Sequence, residues 1–208
     1  MKDPCVLITG FGPFPGAPVN PTEALIRRLE SEPEHLAGLG DIRTAVLPVD
    51  YQAVPDVLAE LGRTHSPDIA IHFGLDAKAH GFTLERRARN EIAAGKPDNA
   101  GNQADRACIV DGGEDCSSTL PLEAIADELD RAKLPWSWSD DAGGYLCNYV
   151  FYLSRSSHFA ELKPALSGFI HVPPLGLAGG ENPANALSLD DLTRGARLIV
   201  ALCIHCKK

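Results

Sequence analysis

The chain has 208 residues, of which 44% are hydrophobic and 23% charged, as is typical of a single globular domain. Its formal net charge of −9 argues against a general affinity for nucleic acid or anionic membranes, because no positive field attracts phosphate. The first apolar run, Cys5–Ile8, is too short for a signal peptide or a membrane span. We therefore expect a cytoplasmic protein whose six cysteines stay reduced.

Strand and helix patterns alternate along the chain. In chain order, apolar spacing and start and stop residues predict strand Val6–Thr9, helix Thr22–Leu29, strand Ile42–Val49, helix Val54–Leu61, strand Asp68–Phe73, an extended segment Gly81–Asn90, helices Leu122–Ala132 and Tyr145–Ser156, strand Gly168–Val172 and helix Leu189–His205. The polar residues 90–113 predict a long irregular loop. The alternation predicts one domain with three α/β/α layers, an open, twisted, mostly parallel sheet of the phosphorylase or hydrolase kind.

Ligands of such sheets bind beyond the carboxyl ends of the strands. That edge contains Gly10–Asn20, Gly74–Gly81 and His171–Gly180. The first segment begins Gly-Phe-Gly-Pro-Phe-Pro-Gly, which matches a phosphate-binding loop poorly because its prolines lack N–H donors. Its two rings, Phe11 and Phe14, suit either a flat apolar ligand or packing into the core.

Cys147 is the candidate nucleophile. It follows two glycines and falls in the first turn of an apolar helix, where free N–H groups and the helix dipole favour a thiolate. The same N–H groups can hold an oxyanion formed by attack on a carbonyl. The alternative interpretation is a structural cysteine in the core.

Two further residues complete a candidate catalytic set. His171 ends a buried strand at the ligand-binding edge, and it can accept a proton from a thiol and return it to a leaving amine. Glu85 can fix the tautomer of the imidazole and stabilise its charged form. Taken singly, His171 also fits a hydrogen-bonded core histidine, and Glu85 fits an exposed charge paired with a neighbouring arginine.

The C-terminal run from Cys203 to Cys206 reads Cys-Ile-His-Cys, a spacing that zinc ligands can have. No second ligand pair with similar spacing occurs in the sequence. We therefore predict no metal site here, and instead two buried thiols at the end of a helix.

Four segments, in order, resemble the pyroglutamyl peptidase I family, also called pyrrolidone-carboxylate peptidases. They are the opening VLITGFGPFPGAPVNPTEAL, the stretch TLERRARN, the motif AGGYLCN and the strand GFIHVP. In the family the last three segments carry the catalytic Glu, Cys and His, which correspond here to Glu85, Cys147 and His171.

The resemblance implies a fold similar to that of purine nucleoside phosphorylases and the removal of an N-terminal pyroglutamyl residue from peptides. It also implies no metal or organic cofactor, a cytosolic location and a homo-oligomer, either a dimer or a tetramer. Phe11 and Phe14 would line the lactam pocket, with Tyr145 and Leu146 close by and Asn20 at the end of the same loop.

Two positions near the expected pocket depart from the family. After the third strand the family reads H-V-G-Q-(A/S), whereas this chain reads H-F-G-L-D, so that Leu75 replaces a pocket glutamine. Removal of a buried hydrogen bond there costs about 1–3 kcal/mol, roughly tenfold or more in selectivity, so the departure concerns the specificity of the pocket and not the chemistry, which we expect to be kept. Arg89 stands where the family has an apolar residue, and we hypothesise that it favours an anionic ligand such as a free carboxylate.

Three functions are compatible with the sequence. The first is a pyroglutamyl peptidase, and the second is a divergent thiol amidohydrolase that uses the same three residues on another N-blocked substrate. The third is a nucleoside-phosphorylase-like or dinucleotide-binding protein, which the poor match to a phosphate-binding loop disfavours.

Overall fold

A computed structural model describes residues 3–93, 96–103, 107–176 and 183–207. Its central sheet has six strands. They are β1 (Cys5–Phe11), β2 (Asp41–Leu47), β3 (Ile69–Leu75), β4 (Phe82–Glu85), β7 (Trp136–Ser139) and β8 (Leu166–Val172), whereas β5 (Arg87–Ala88) and β6 (Cys116–Ser117) form a separate two-stranded ribbon. The strand order in the large sheet is β2-β1-β3-β8-β4-β7.

Five α-helices cover the two faces of the sheet. They are α1 (Pro21–Ser31), α2 (Ala53–His65), α3 (Leu122–Arg131), α4 (Leu146–Arg155) and α5 (Leu189–Lys207), with a short 3-10 helix at Pro33–Leu36. Successive strand residues point to opposite faces, so Ile8 packs in the core under α1, α3 and α5, whereas Leu7 packs in the core under α2 and α4. This arrangement confirms the predicted α/β/α layers. None of the described helices is long and apolar enough to cross a membrane.

Strands β1, β2, β3 and β8 are parallel, as predicted from their continuous apolar runs. Strand β4 runs antiparallel to β8, and β7 runs parallel to β4. Strand β7 is absent from the predicted elements because its four residues, Trp-Ser-Trp-Ser, form too short an alternation between Pro135 and an Asp-Asp pair.

The predicted irregular loop, residues 90–113, contains no helix or strand in its described parts. Polar side chains hold it. The Asn90 side chain donates to the carbonyl oxygens of Val110 and Gly113 at 2.7 and 2.8 Å, and Asp98 accepts the N–H of Tyr51 at 2.9 Å. The loop is therefore fastened to the rest of the molecule although it lacks regular structure.

Candidate active site

Cys147 is the second residue of α4, directly after the predicted break at Gly143 and Gly144. Gly143 has a φ of 77°, which residues with a side chain rarely adopt, so the chain turns sharply before the helix. The half-buried thiol lines a cavity of about 790 Å³. Cys147 lies in the first turn of α4, where the backbone N–H groups have no partners within the helix.

His171 and Glu85 lie on neighbouring antiparallel strands, β8 and β4. Nδ1 of His171 is 2.7 Å from Oε1 of Glu85, and only 6% and 1% of the two residues' surfaces are exposed. The side chain of Cys147 lines the same cavity as the imidazole and lies near enough to raise the pKa of His171. The structure thus brings the three predicted catalytic residues, Glu85, His171 and Cys147, together at one side of the cavity, and we call them the catalytic row.

The surroundings of His171 favour its charged form. Burial alone would lower the pKa of the imidazole, but the charge and hydrogen bond of Cys147, together with those of Glu85, raise it to about 10. His171 is therefore protonated at neutral pH. The second carboxylate oxygen of Glu85, Oε2, is buried and has no hydrogen-bond partner among the described residues.

Two residues outside the predicted set hold Cys147 in place. Gly74 of β3 passes so close that a Cβ there would lie 2.8 Å from the Sγ of Cys147. Asn148 is fully buried; its side chain accepts from the N–H of Arg89 and donates to the carbonyl oxygens of Arg89 and Glu91. These hydrogen bonds fasten the first turn of α4 to the segment that follows β5.

Most of the predicted substrate-binding residues line the same cavity. They are Phe11, Phe14, Asn20, Leu75, Tyr145 and Leu146. Phe11 and Leu146 are buried, whereas Phe14 and Tyr145 are half-buried. The cavity therefore has a largely apolar wall beside the catalytic row, as a small flat ligand requires.

Asn20 has a structural role within that wall. Its Nδ2 donates to the carbonyl oxygen of Gly12 at 2.9 Å. Its Oδ1 accepts from the N–H and the hydroxyl of Thr22 at 3.0 and 2.9 Å, which caps the N-terminus of α1. Asn20 thus shapes the loop between β1 and α1, residues 12–20, which we call the first loop. Both hydrogen bonds that its side-chain oxygen accepts belong to the helix cap.

Arg89 is not among the residues that line the cavity. Its guanidinium lies 3.3 Å from the carboxylate of Glu91 and 2.8 Å from that of Asp141. Two acidic side chains therefore already neutralise the charge that was expected to attract an anionic ligand. The position of Arg89 gives the hypothesis of an anion-binding residue no support.

Several cavity residues were not found from the sequence, among them Lys96, Thr83 and Ser137. The hydroxyls of Thr83 and Ser137 are 3.3 Å apart on the paired strands β4 and β7. The Trp-Ser alternation of β7 is too short to identify a strand, so it did not place Ser137 there. Lys96 has no local signal, because its position depends on contacts distant in sequence.

The site contains thiol, imidazole and carboxylate groups but no evident set of metal ligands. Among the described residues, no three His, Cys, Asp or Glu side chains are grouped as a metal site would need. Cys203 is buried in α5, as predicted, but the prediction of a buried thiol is wrong for Cys206, which is exposed near the end of that helix. The end of the predicted third edge segment, residues 177–180, lies outside the described part of the chain.

Comparison with known proteins gives matches along nearly the whole chain. Residues 4–204 match the model of the pyroglutamyl peptidase family. The pyrrolidone-carboxylate peptidase of Pyrococcus furiosus is 40% identical over 171 residues, which cover 81% of this chain and 80% of that protein.

Solved structures give the same result. Pyrrolidone carboxyl peptidase from Thermus thermophilus superposes with a TM-score of 0.82 at 34% identity, over 95% of this chain and 99% of that one. Pyroglutamyl peptidase I of Bacillus amyloliquefaciens superposes with a TM-score of 0.85 at 30% identity, over 99% of both chains. The resemblance seen in the sequence motifs is therefore confirmed at the level of the fold.

Proposed function

The chain belongs to the pyroglutamyl peptidase family and is a cysteine peptidase that removes an N-terminal pyroglutamyl residue; we propose that Cys147, His171 and Glu85 perform this reaction. The observation that carries the proposal is the placing of all three side chains on the 790 Å³ cavity, with Glu85 hydrogen-bonded to His171 at 2.7 Å. Cys147 is the nucleophile, His171 the general acid and base, and Glu85 the group that orients and charges His171.

The first step is attack by the Cys147 thiolate on the carbonyl carbon of the pyroglutamyl peptide bond. A carbon–sulfur bond forms, and the carbonyl oxygen becomes an oxyanion. Free N–H groups in the first turn of α4 lie beside the thiol and stabilise that negative charge. The positive end of the helix dipole acts in the same direction.

The second step is departure of the peptide. His171 is protonated at neutral pH and donates this proton to the leaving nitrogen as the carbon–nitrogen bond breaks. A thioester between the pyroglutamyl group and Cys147 remains, and His171 is now neutral. His171 then takes a proton from water, whose oxygen attacks the thioester. The carbon–sulfur bond breaks, which releases pyroglutamate and restores the thiolate and the charged imidazole.

Glu85 controls His171 through two effects. Its Oε1 accepts the Nδ1–H of His171, so the other ring nitrogen is directed to Cys147 and the substrate. Only 1% of Glu85 is exposed, so its negative charge is little screened by water and stabilises the imidazolium before and after each turnover. Without the hydrogen bond or without the charge of Glu85, His171 would be a poorer proton donor to the leaving nitrogen and a poorer acceptor of a proton from water.

A panel of N-blocked coumarin amides tests this function, with the pyroglutamyl amide as the expected substrate. Cys147→Ser should lower hydrolysis by at least about 10³-fold, whereas Cys206→Ser, which removes an exposed thiol, should not change it. Cleavage of another N-blocked amide in preference to the pyroglutamyl compound would instead favour a divergent amidohydrolase. Leu75 in the cavity wall is the observation that keeps this second candidate in the test.

We further propose that the enzyme works in the cytoplasm as a homo-oligomer. All six cysteines are described, and none of them forms a disulfide, which suits a reducing compartment. The oligomer, a dimer or tetramer, is proposed from the family resemblance, and light scattering of the purified protein at several concentrations tests it.

A further inference from the structure

A lysine ammonium group lies in the cavity between two aromatic rings. Lys96 lines the cavity together with Cys147 and His171. Its Nζ lies 4.2 Å from the centroid of the Tyr145 ring and 5.5 Å from that of Phe14. Within residues 3–93, 96–103, 107–176 and 183–207, no ion pair involves Lys96. The two rings attract the ammonium group by cation–π interaction, and the ammonium group faces the space in the cavity where a ligand can bind.

The segment that carries this cation, residues 96–102, is fastened to both sides of the cavity; we call it the Lys96 loop. The Tyr145 hydroxyl donates to the carbonyl oxygen of Pro97 at 2.9 Å. Asn99 donates to the carbonyl oxygen of Pro13 in the first loop, also at 2.9 Å. The position of Lys96 is therefore set by one contact to Tyr145 and one to Pro13, the neighbour of Phe14.

Asp98 holds the Lys96 loop from within. Although burial by itself would raise the pKa of this carboxyl, hydrogen bonds from the backbone N–H groups of Tyr51, Asn102 and Ala100 lower it. Only 4% of Asp98 is exposed. Asp98 therefore stays charged, and because three backbone groups use it, it does not pair with the neighbouring Lys96.

The pyroglutamyl ring presents one N–H donor and one carbonyl acceptor to its pocket. Leu75, Leu146 and Phe11 offer no side-chain donor for that carbonyl. An ammonium group only donates, so Lys96 can meet the carbonyl oxygen but not the N–H. A pyroglutamyl ring bound over Lys96 would exclude water from the ammonium group and so strengthen its hydrogen bond to the lactam carbonyl.

We propose that Lys96 donates a hydrogen bond to the lactam carbonyl oxygen of the substrate and thereby determines specificity for the pyroglutamyl group. The proposal rests on the proposed function, since it concerns the acyl group of the same reaction. It assigns to Lys96 the polar interaction that Leu75 cannot make.

Lys96→Met is the primary test. With the pyroglutamyl-coumarin amide, kcat/KM should fall roughly 10- to 100-fold, mainly through KM, because the variant lacks the hydrogen bond from a charged donor. Alkylation of Cys147 by iodoacetamide should be unchanged, which a general disturbance of the site would not allow. Lys163→Met removes an exposed lysine and controls for the change in net charge.

A rescue experiment sharpens the test. Adding Leu75→Gln to Lys96→Met supplies a neutral donor from β3, so part of the missing kcat/KM should return. The affinity for 2-pyrrolidone, the lactam fragment alone, should fall in Lys96→Met and recover in the double variant, as calorimetry can measure. Unchanged 2-pyrrolidone affinity and unchanged kcat/KM in Lys96→Met would overturn the inference.

Two other outcomes are distinguishable. A loss confined to pyroglutamyl dipeptides with a free carboxylate, with no effect on the coumarin amide, would overturn the inference by assigning Lys96 to the leaving group. A wild-type enzyme that binds 2-pyrrolidone through Lys96 but cleaves no pyroglutamyl amide would overturn the proposed function and support the binding role of Lys96.

Discussion

The catalytic row and the Lys96 loop border the same cavity but are built differently. Glu85, Cys147 and His171 lie on a strand, a helix and a second strand. Lys96 is exposed and lies on an irregular segment held by side-chain and carbonyl contacts. The reacting groups thus depend on the rigid core, whereas the groups that contact the ligand lie partly on loops that tolerate substitution. We expect variants of the catalytic row to have larger effects than variants of the cavity wall.

Glu85→Gln should have the largest effect in this comparison. It keeps the size of the side chain but removes the charge that stabilises the His171 imidazolium, and its amide can donate to Nδ1 and impose the wrong tautomer. We expect kcat/KM to fall roughly 10²- to 10⁴-fold. Glu91→Gln, an exposed acid outside the catalytic row, is the matched control and should keep most of the activity.

The pH profile of the same variant checks the reason for the loss. The general acid is protonated His171, so wild-type kcat/KM should fall as the pH rises through a pKa of about 10. Glu85 raises that pKa, so the alkaline limb of Glu85→Gln should move to lower pH. An unmoved limb would contradict the assignment of Glu85 as the partner of His171.

Gly74→Ala should have the next largest effect, because it acts on the nucleophile through packing alone. The added Cβ would lie 2.8 Å from the Sγ of Cys147 and 2.6 Å from the ring of Phe169, so one of them must move. A displacement of that size can cost on the order of 10²-fold in kcat/KM.

Gly12→Ala is the control for this change, since its Cβ would meet nothing nearer than 3.8 Å. Steady-state kinetics gives kcat/KM for both variants, which should be reduced in Gly74→Ala and close to wild type in Gly12→Ala. Equal activity of Gly74→Ala and wild type would show that the close approach of β3 does not position the thiol.

Asn20→Ala should affect stability more than catalysis. Loss of the cap on α1 should lower the free energy of unfolding by about 1–2 kcal/mol, with KM for the pyroglutamyl amide nearly unchanged. Asn20→Asp retains the capping oxygen and should be closer to wild type in urea denaturation. A selective rise in KM without loss of stability would identify Asn20 as a substrate ligand instead.

Arg89→Met should have the smallest effect on specificity. The guanidinium is paired with Glu91 and Asp141, so the preference between acidic and neutral leaving groups should change by no more than about twofold. Competition between two pyroglutamyl peptides that differ in one acidic residue measures this ratio. A selective loss for the acidic peptide would restore the anion-binding hypothesis.

The sequence predicted the catalytic row better than the cavity wall for physical reasons. The glycine pair before an apolar helix indicates the position of Cys147, and the end of a buried strand indicates that of His171, because each signal is local. Lys96 faces the cavity only because Pro97 and Asn99 contact residues more than forty positions away. No local pattern encodes such contacts.

The same distinction applies to the fold. The apolar runs of the parallel strands predicted the layers, because a strand buried on both faces needs a continuous apolar run. They did not predict the strand order or the reversal of β4, which depend on which elements pack together. Strand β7 was missed because four alternating residues, Trp136–Ser139, do not distinguish a short strand from a loop.

The most direct test of the central claim is affinity labelling with the chloromethyl ketone of pyroglutamic acid, followed by peptide mapping. If one cavity contains both the nucleophile and the lactam pocket, Cys147 alone among the six cysteines should be alkylated, and 2-pyrrolidone should protect it. Alkylation of another cysteine would contradict this claim. So would labelling of Cys147 that is no faster than with the acetyl analogue and is not blocked by 2-pyrrolidone.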